Sequence, residues 1–285
     1  MVPPLGATEP LTQEPAPSIS ILDAVWLGLV EGLTEFLPVS STGHLIVTNR
    51  MLGVGESPLT VGIQLGAISA ILALYWRPLV DALRNASTQR SEGKPNLLAQ
   101  IVVAALPAAV LGLLLDDWIE ARLFSAEFVA STMVVGGVLL LWVEKLVRGR
   151  APRAEHLSQM GYATAFAIGC FQCLALLPGT SRSGATIAGA LLLGLSRTAA
   201  AEFSFLVGLP ILYGAGAVKL LSEREAVFGP LLAPMLVGTF VSFLSAIVVV
   251  RPFVAYLRAH TFAPFAWYRI VGGALLAIAC ARAWL

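Results

Sequence analysis

Glu31 and Glu35 stand four residues apart, which puts both carboxylates on one face of a helix. Like charges at that spacing repel, and burying two of them in an apolar segment is costly. A divalent cation between them offsets the cost, because hard cations prefer carboxylate oxygen. A shared proton offsets it too. The alternative is a helix end at the aqueous interface with both side chains in water. The run Glu31-Gly32-Leu33-Thr34-Glu35 leads directly to Pro38, which favours a wet cavity.

The segment Leu37-Pro38-Val39-Ser40-Ser41-Thr42-Gly43 breaks the helical pattern and is followed by His44. Its hydroxyls either satisfy freed backbone groups or supply a nucleophile and phosphate contacts. A buried imidazole at His44 needs a partner and suits proton transfer. A second break reads Leu177-Pro178-Gly179-Thr180-Ser181-Arg182-Ser183-Gly184, with Thr186 just beyond. Arg182 is the only lysine or arginine between Arg153 and Arg197, so its guanidinium must find an anion. Freed amides and the start of the next helix point positive dipole at an incoming group, and the arginine fork matches phosphate oxygens. The plainer reading pairs Arg182 with Glu31 or Glu35 to hold the chain together, which leaves the hydroxyls unexplained. The two breaks hold the groups that phosphoryl transfer needs: charge neutralisation, a nucleophile and a proton carrier. The nucleotide-binding spacing G-x-x-x-x-G-K-[ST] is absent.

Only certain elements can position such groups. The chain has 285 residues, of which 57% are hydrophobic and 12% charged, with mean hydropathy +0.82. Soluble domains average about 25% charged residues, so too little polar side chain is present to cover a water-facing surface. A net charge of +1 provides no field for a polyanion, which excludes a nucleic-acid partner, and three cysteines make no disulfide framework. The pattern predicts an all-α polytopic membrane protein. Six stretches suit spanning helices: 60–76, 96–115, 128–147, 199–221, 231–250 and 267–285. Residues 19–52 and 161–195 are apolar but interrupted by the two breaks, and each half is too short to cross. They predict two re-entrant helix-loop-helix pairs. Residues 1–18, rich in proline, predict a disordered tail, and 19–285 a single membrane domain.

Arg77, Arg84, Arg90 and Lys94 follow the first span; Arg148, Arg150 and Arg153 the third; Arg251 and Arg258 the fifth. The intervening loops are acidic or balanced, so the basic loops are expected in the cytoplasm and the C-terminus outside. The first pair then enters from outside and the second from inside. The similarity of the two breaks, with one extra residue in the second, predicts an inverted repeat with halves at about 19–127 and 128–285. Its polar loops meet in one cavity near the bilayer midplane.

Two long stretches, Glu31-Gly32-Leu33-Thr34-Glu35-Phe36-Leu37-Pro38-Val39-Ser40-Ser41-Thr42-Gly43-His44 and Leu177-Pro178-Gly179-Thr180-Ser181-Arg182-Ser183-Gly184-Ala185-Thr186, resemble the undecaprenyl-diphosphate phosphatases, also called bacitracin-resistance proteins. Ala201-Glu202-Phe203-Ser204-Phe205, Arg251-Pro252-Phe253 and His260-Thr261-Phe262 also look like that family, and the likeness runs from about Leu22 onward. The resemblance implies hydrolysis of undecaprenyl diphosphate to the monophosphate and inorganic phosphate, recycling the carrier for peptidoglycan synthesis and conferring bacitracin resistance. It implies Mg2+ or Ca2+ and a site open to the outer face of the bacterial cytoplasmic membrane. The family's acidic motif falls on Glu31 and Glu35, its hydroxyl and histidine on Ser41 and His44, and its arginine motif on Ser181, Arg182 and Thr186. Serine, histidine and activated water all remain as nucleophiles at this point.

The rival class is a transporter or flippase of the prenyl phosphate carrier, since inverted repeats with broken helices are common there. A membrane scaffold would leave both charge clusters unexplained. Cys170-Phe171-Gln172-Cys173 lies in an apolar segment and reads as packing. Gly28 with Gly32, and Gly62 with Gly66, have the spacing of close helix contacts and suggest a homodimer. Gln64 and Glu202 are candidates to line the cavity, and His156 and His260 to lie in solvated loops.

Overall fold

The computed structural model describes residues 19–55, 57–92 and 94–284. The expected disordered tail, 1–18, lies outside the described residues. Among the described residues every named element is a helix. Short helices α1 (Ile21–Thr34) and α2 (Ser41–Leu52) precede long helices α3 (Leu59–Arg84), α4 (Leu97–Leu123) and α5 (Ala126–Val147). The order then recurs: short α6 (Tyr162–Gln172) and α7 (Arg182–Leu192), followed by long α8 (Arg197–Ser222), α9 (Leu232–Leu257) and α10 (Ala263–Ala281). Six of these helices are long and apolar enough to cross a membrane, and they coincide with the six expected stretches.

Three C-terminal boundaries run further than the apolar pattern, one of them that of α9, expected at 250 and continuing through Arg251 and Pro252 to Leu257. The helix expected to stop at residue 76 continues to Arg84, accommodating Pro78 with a kink at Tyr75 (φ −112°, ψ 15°). The helix expected to stop at 115 continues through Asp116, Asp117 and Glu120 to Leu123. Helical hydrogen bonding is indifferent to where hydrocarbon gives way to water, whereas hydropathy is not.

The recurrence also moves the expected midpoint. A division at 127/128 would hand α5 to the second half, but α5 is the third long helix of the first set. The pattern restarts after Val147 instead. Packing follows the same correspondence: α1 lies against α9 as α6 lies against α4, and α3 against α9 as α8 against α4. The equivalents α3 and α8 pack together, as do α5 and α10.

Glycine sets the closest approaches. Gly28, Gly32 and Gly66 face the carbonyls of Gly238, Ser242 and Thr239, and Gly62 faces the Met235 side chain. All four thus pack on α9 within the chain. The glycine faces expected to serve a homodimer are already covered.

Aromatic and aliphatic side chains fill the centre, with Phe36, Phe203, Phe205 and Phe262 fully buried. The outer faces are apolar as well, with Leu113, Leu114, Leu236 and Val248 exposed. Such surface is a liability in water and the normal face of a bilayer protein. One ionic lock ties the ends of α5 and α8. The Glu144 carboxylate, buried, accepts from Arg197 Nε at 3.0 Å and Nη2 at 2.6 Å, and from the Phe262 amide at 2.8 Å.

Candidate active site

Both breaks end on a serine in an uncommon conformation. Ser40 and Ser181 each have φ +70°, and Ala283 is the only other non-glycine residue with positive φ among the described residues. Such a backbone costs energy and persists only where its surroundings hold it. Each serine caps the helix that follows: Ser40 Oγ accepts from the Gly43 amide at 3.4 Å, and Ser181 Oγ from the Gly184 amide at 3.1 Å. The shared geometry gives the register of the two breaks. Ser40 matches Ser181, and Ser41 matches Arg182 as the first residue of its helix.

Glu35 closes α1, and its carboxylate lies between these two first residues. Ser41 Oγ donates to Glu35 Oε2 at 2.7 Å, and Arg182 Nη2 donates to Glu35 Oε1 at 3.2 Å. Glu35 is mostly buried, so this pair is poorly screened. The acidic and arginine motifs, 147 positions apart, meet here.

Arg182 is held from several sides. Nη1 donates to the Ser204 carbonyl at 2.6 Å, and the guanidinium lies 5.8 Å from the centre of the Phe36 ring. Gly208 on α8 makes room, since a Cβ there would stand 2.6 Å from Nη1. Nε is buried and has no partner among the described residues.

Glu31 is fully buried, and neither carboxylate oxygen has a partner among the described residues. Two nearby carboxylates fit a hard cation that keeps its remaining positions for water and phosphate oxygen, as Mg2+ commonly does. Among the described residues no group of three or more His, Cys, Asp or Glu offers a full protein cage.

His44 is clamped. Nδ1 lies 2.7 Å from the Ser40 carbonyl, which can only accept, so Nδ1 carries a proton. Nε2 lies 2.7 Å from the Tyr268 hydroxyl, and the two rings stack at 5.5 Å. The imidazole is therefore tied to the strained Ser40 peptide and to α10.

Sequence reasoning missed two residues of α10. Tyr268 is one. The other is Arg269, only 1% exposed, which donates to the carbonyls of Met133 at 3.3 Å, Thr132 at 3.2 Å and Gly179 at 3.3 Å. Thr132 Oγ1 donates to the Pro178 carbonyl at 2.6 Å. Together α5 and α10 grip the second break by its backbone, and Gly179, at φ +85°, fits against Thr132 and Val129 where a side chain would clash. An arginine inside an expected span was the available signal, the same one that marked Arg182.

Three expected phosphate contacts have other occupations. Ser183 is fully buried and donates to the Leu37 carbonyl at 3.0 Å, bridging the two breaks. Thr186, also fully buried, donates to the Arg182 carbonyl at 2.8 Å and meets Ser204 Oγ at 2.5 Å. Gly184 lies against Arg269 Nη1. Ser183 and Thr186 brace the breaks from behind, because free hydroxyls in a dry interior take the nearest acceptor. Ser41, Thr42, Thr180 and Ser181 are half-buried beside the two helix starts, and Ser40 is buried.

The fold and the site define a multi-pass, all-helical membrane protein whose polar centre lies between two broken helix pairs. The chain belongs to the bacitracin resistance protein BacA family, whose description matches residues 24–275. Undecaprenyl-diphosphatases of known sequence are similar over nearly the whole length. The one from Nitrosomonas europaea is 44% identical, covering 90% of this chain and 93% of its own. The Variovorax paradoxus protein is 43% identical over 93% and 96% of the two chains, and the Desulfitobacterium hafniense protein 40% over 90% and 95%.

Proposed function

We propose that the chain hydrolyses undecaprenyl diphosphate to undecaprenyl phosphate and inorganic phosphate, with Glu35, Ser41 and Arg182 at the reacting centre. It thereby recycles the lipid carrier for peptidoglycan synthesis and confers bacitracin resistance. The observation that carries the chemistry is the Glu35 carboxylate bonded at once to a hydroxyl and a guanidinium. Base and nucleophile within hydrogen-bond reach are the signature of an activated hydroxyl.

Ser41 Oγ attacks the terminal phosphorus while Glu35 takes its proton. The bond from that phosphorus to the bridging oxygen breaks, and the prenyl monophosphate leaves. Arg182, with its free Nε and the amides of the second break, stabilises the charge on the transferring group. Ser40, Thr42, Gly179, Thr180 and Ser181 frame the phosphate. His44, held by Tyr268, carries the proton of the water that then releases phosphate from Ser41. A divalent cation, Mg2+ or Ca2+, on the Glu31 and Glu35 oxygens would neutralise the non-bridging oxygens of the diphosphate.

The two broken pairs enter the bilayer from opposite faces as re-entrant hairpins, and the recurring short and long helices form an inverted repeat. Three long helices per set turn the second set over, and the exchanged packing supports this. The basic loops lie in the cytoplasm of a bacterial inner membrane, and the substrate headgroup enters from the outer face with its prenyl tail among the lipid-facing helices. Transporters share such architecture. Detergent solution has no compartments, so phosphate release there belongs only to an enzyme. With purified protein and a short-chain prenyl diphosphate, Glu35→Gln and Arg182→Ala should each lose about a hundredfold or more in rate while keeping the wild-type elution profile. Wild-type release from either variant would remove that residue from the mechanism.

A further inference from the structure

A second polar site lies at the basic end of the bundle. A cavity of about 250 Å³ opens there between the end of α5, the loop after it, the turn joining α7 to α8, and the end of α9. Arg150, Arg153, Arg197 and Arg258 line it. It is separate from the phosphatase centre. Helix α7 starts at Arg182 and ends on the cavity wall, and its 11 residues span about 16 Å.

The cavity is built, not just a gap among surface arginines. The amides of Arg153 and Ala154 donate to the Gly194 carbonyl at 2.8 and 3.2 Å, and the Ser196 amide donates back to Ala154 at 2.9 Å. The Arg153 stem lies on Gly194, where a Cβ would stand 3.1 Å from its Cγ and Cδ. Arg197 is held by Glu144, whose carboxylate accepts three hydrogen bonds there. Glu202, an acid near Arg258, also lies close to Tyr75. Arg150, Arg153 and Arg258 form no ion pair among the described residues. Three arginines thus share one concave site and form no ion pair there, although Glu202 lies near Arg258 and offsets part of its charge. Leu191, Leu192 and Leu195 also line it, giving arginine beside leucine.

We infer that this cavity binds the phosphate headgroup of an anionic phospholipid from the leaflet at the basic end. Arginine forks take the phosphate oxygens, and the partly exposed Leu192 and Val147 meet the apolar part of the lipid, which a free ion lacks. The inference goes beyond the phosphatase reading and rests only on the orientation drawn from the basic loops.

Native mass spectrometry of the detergent-solubilised protein tests it, with phosphatidylglycerol, phosphatidylcholine and inorganic phosphate as probes. Wild type should retain one phosphatidylglycerol about tenfold more tightly than phosphatidylcholine. Arg153→Ala with Arg258→Ala should weaken that retention about tenfold or more, whereas Arg84→Ala with Arg251→Ala, basic residues outside the cavity, should stay within about twofold. Should the first pair elute abnormally, Arg153→Gln with Arg258→Gln replaces it. Equal loss in both pairs, equal retention of phosphatidylcholine, or binding of inorganic phosphate without phosphatidylglycerol would overturn the inference. Lipid retention is read independently of phosphate release, so failure of the phosphatase reading is seen separately.

Discussion

Glu35 and Glu31 are one turn apart and have different surroundings. Glu35 spends its oxygens on Ser41 and Arg182, whereas Glu31 is fully buried with no partner among the described residues. An ionised carboxylate in that position needs a cation or a proton. A cation held there predicts a paired response. A chelator should remove most phosphate release from the wild type, and readdition of Mg2+ or Ca2+ should restore it. Glu31→Gln should begin low, by about tenfold or more, and lose little further on chelation. Full wild-type activity in excess chelator would remove the metal from the proposal and leave the shared proton.

At the scale of elements, the precision of Arg182 comes from α8 rather than from its own helix. Ser204 supplies the carbonyl for Nη1, and Gly208 supplies space where a Cβ would stand 2.6 Å from that nitrogen. Gly208→Ala therefore tests placement without touching charge. The guanidinium must shift, and a displacement of about 1 Å can cost about a hundredfold in rate. The expected result is a fall in kcat of that order with normal expression and elution. An unchanged kcat would mean that the arginine has slack. Alanine is also a better helix former than glycine, so loss of helix propensity cannot account for the fall.

For the whole molecule, the exchanged packing of α1 with α9 and α6 with α4 predicts opposite entry of the two breaks. The acidic end holds Glu120 within 3.9 Å of Lys219, a contact of α4 with α8, while the arginine cavity marks the other end. With Cys170, Cys173 and Cys280 replaced by serine, Glu223→Cys should react with an impermeant maleimide added to intact cells. Arg84→Cys should react only after lysis. The reverse pattern would turn the protein over and place the substrate entrance on the cytoplasmic side.

Much was legible in the sequence because it is encoded locally. About 20 apolar residues announce a span, and a Leu-Pro step with serines and glycine announces a break, wherever the rest of the chain lies. Glu31, Glu35, Ser41, His44 and Arg182 were visible as polar residues in apolar surroundings, a costly situation that marks them without a structure. Hydrogen-bond partners are not local. Ser183 and Thr186 look as available as Ser41 in the sequence, yet their hydroxyls go to Leu37 and to Arg182 and Ser204. Tyr268 and Arg269 reach the breaks from α10, 224 positions beyond His44 in one case and 90 beyond Gly179 in the other. Sequence alone determined which groups the bilayer-embedded helices carry; tertiary packing decided which of them share a hydrogen bond, because a partner is chosen by distance in space.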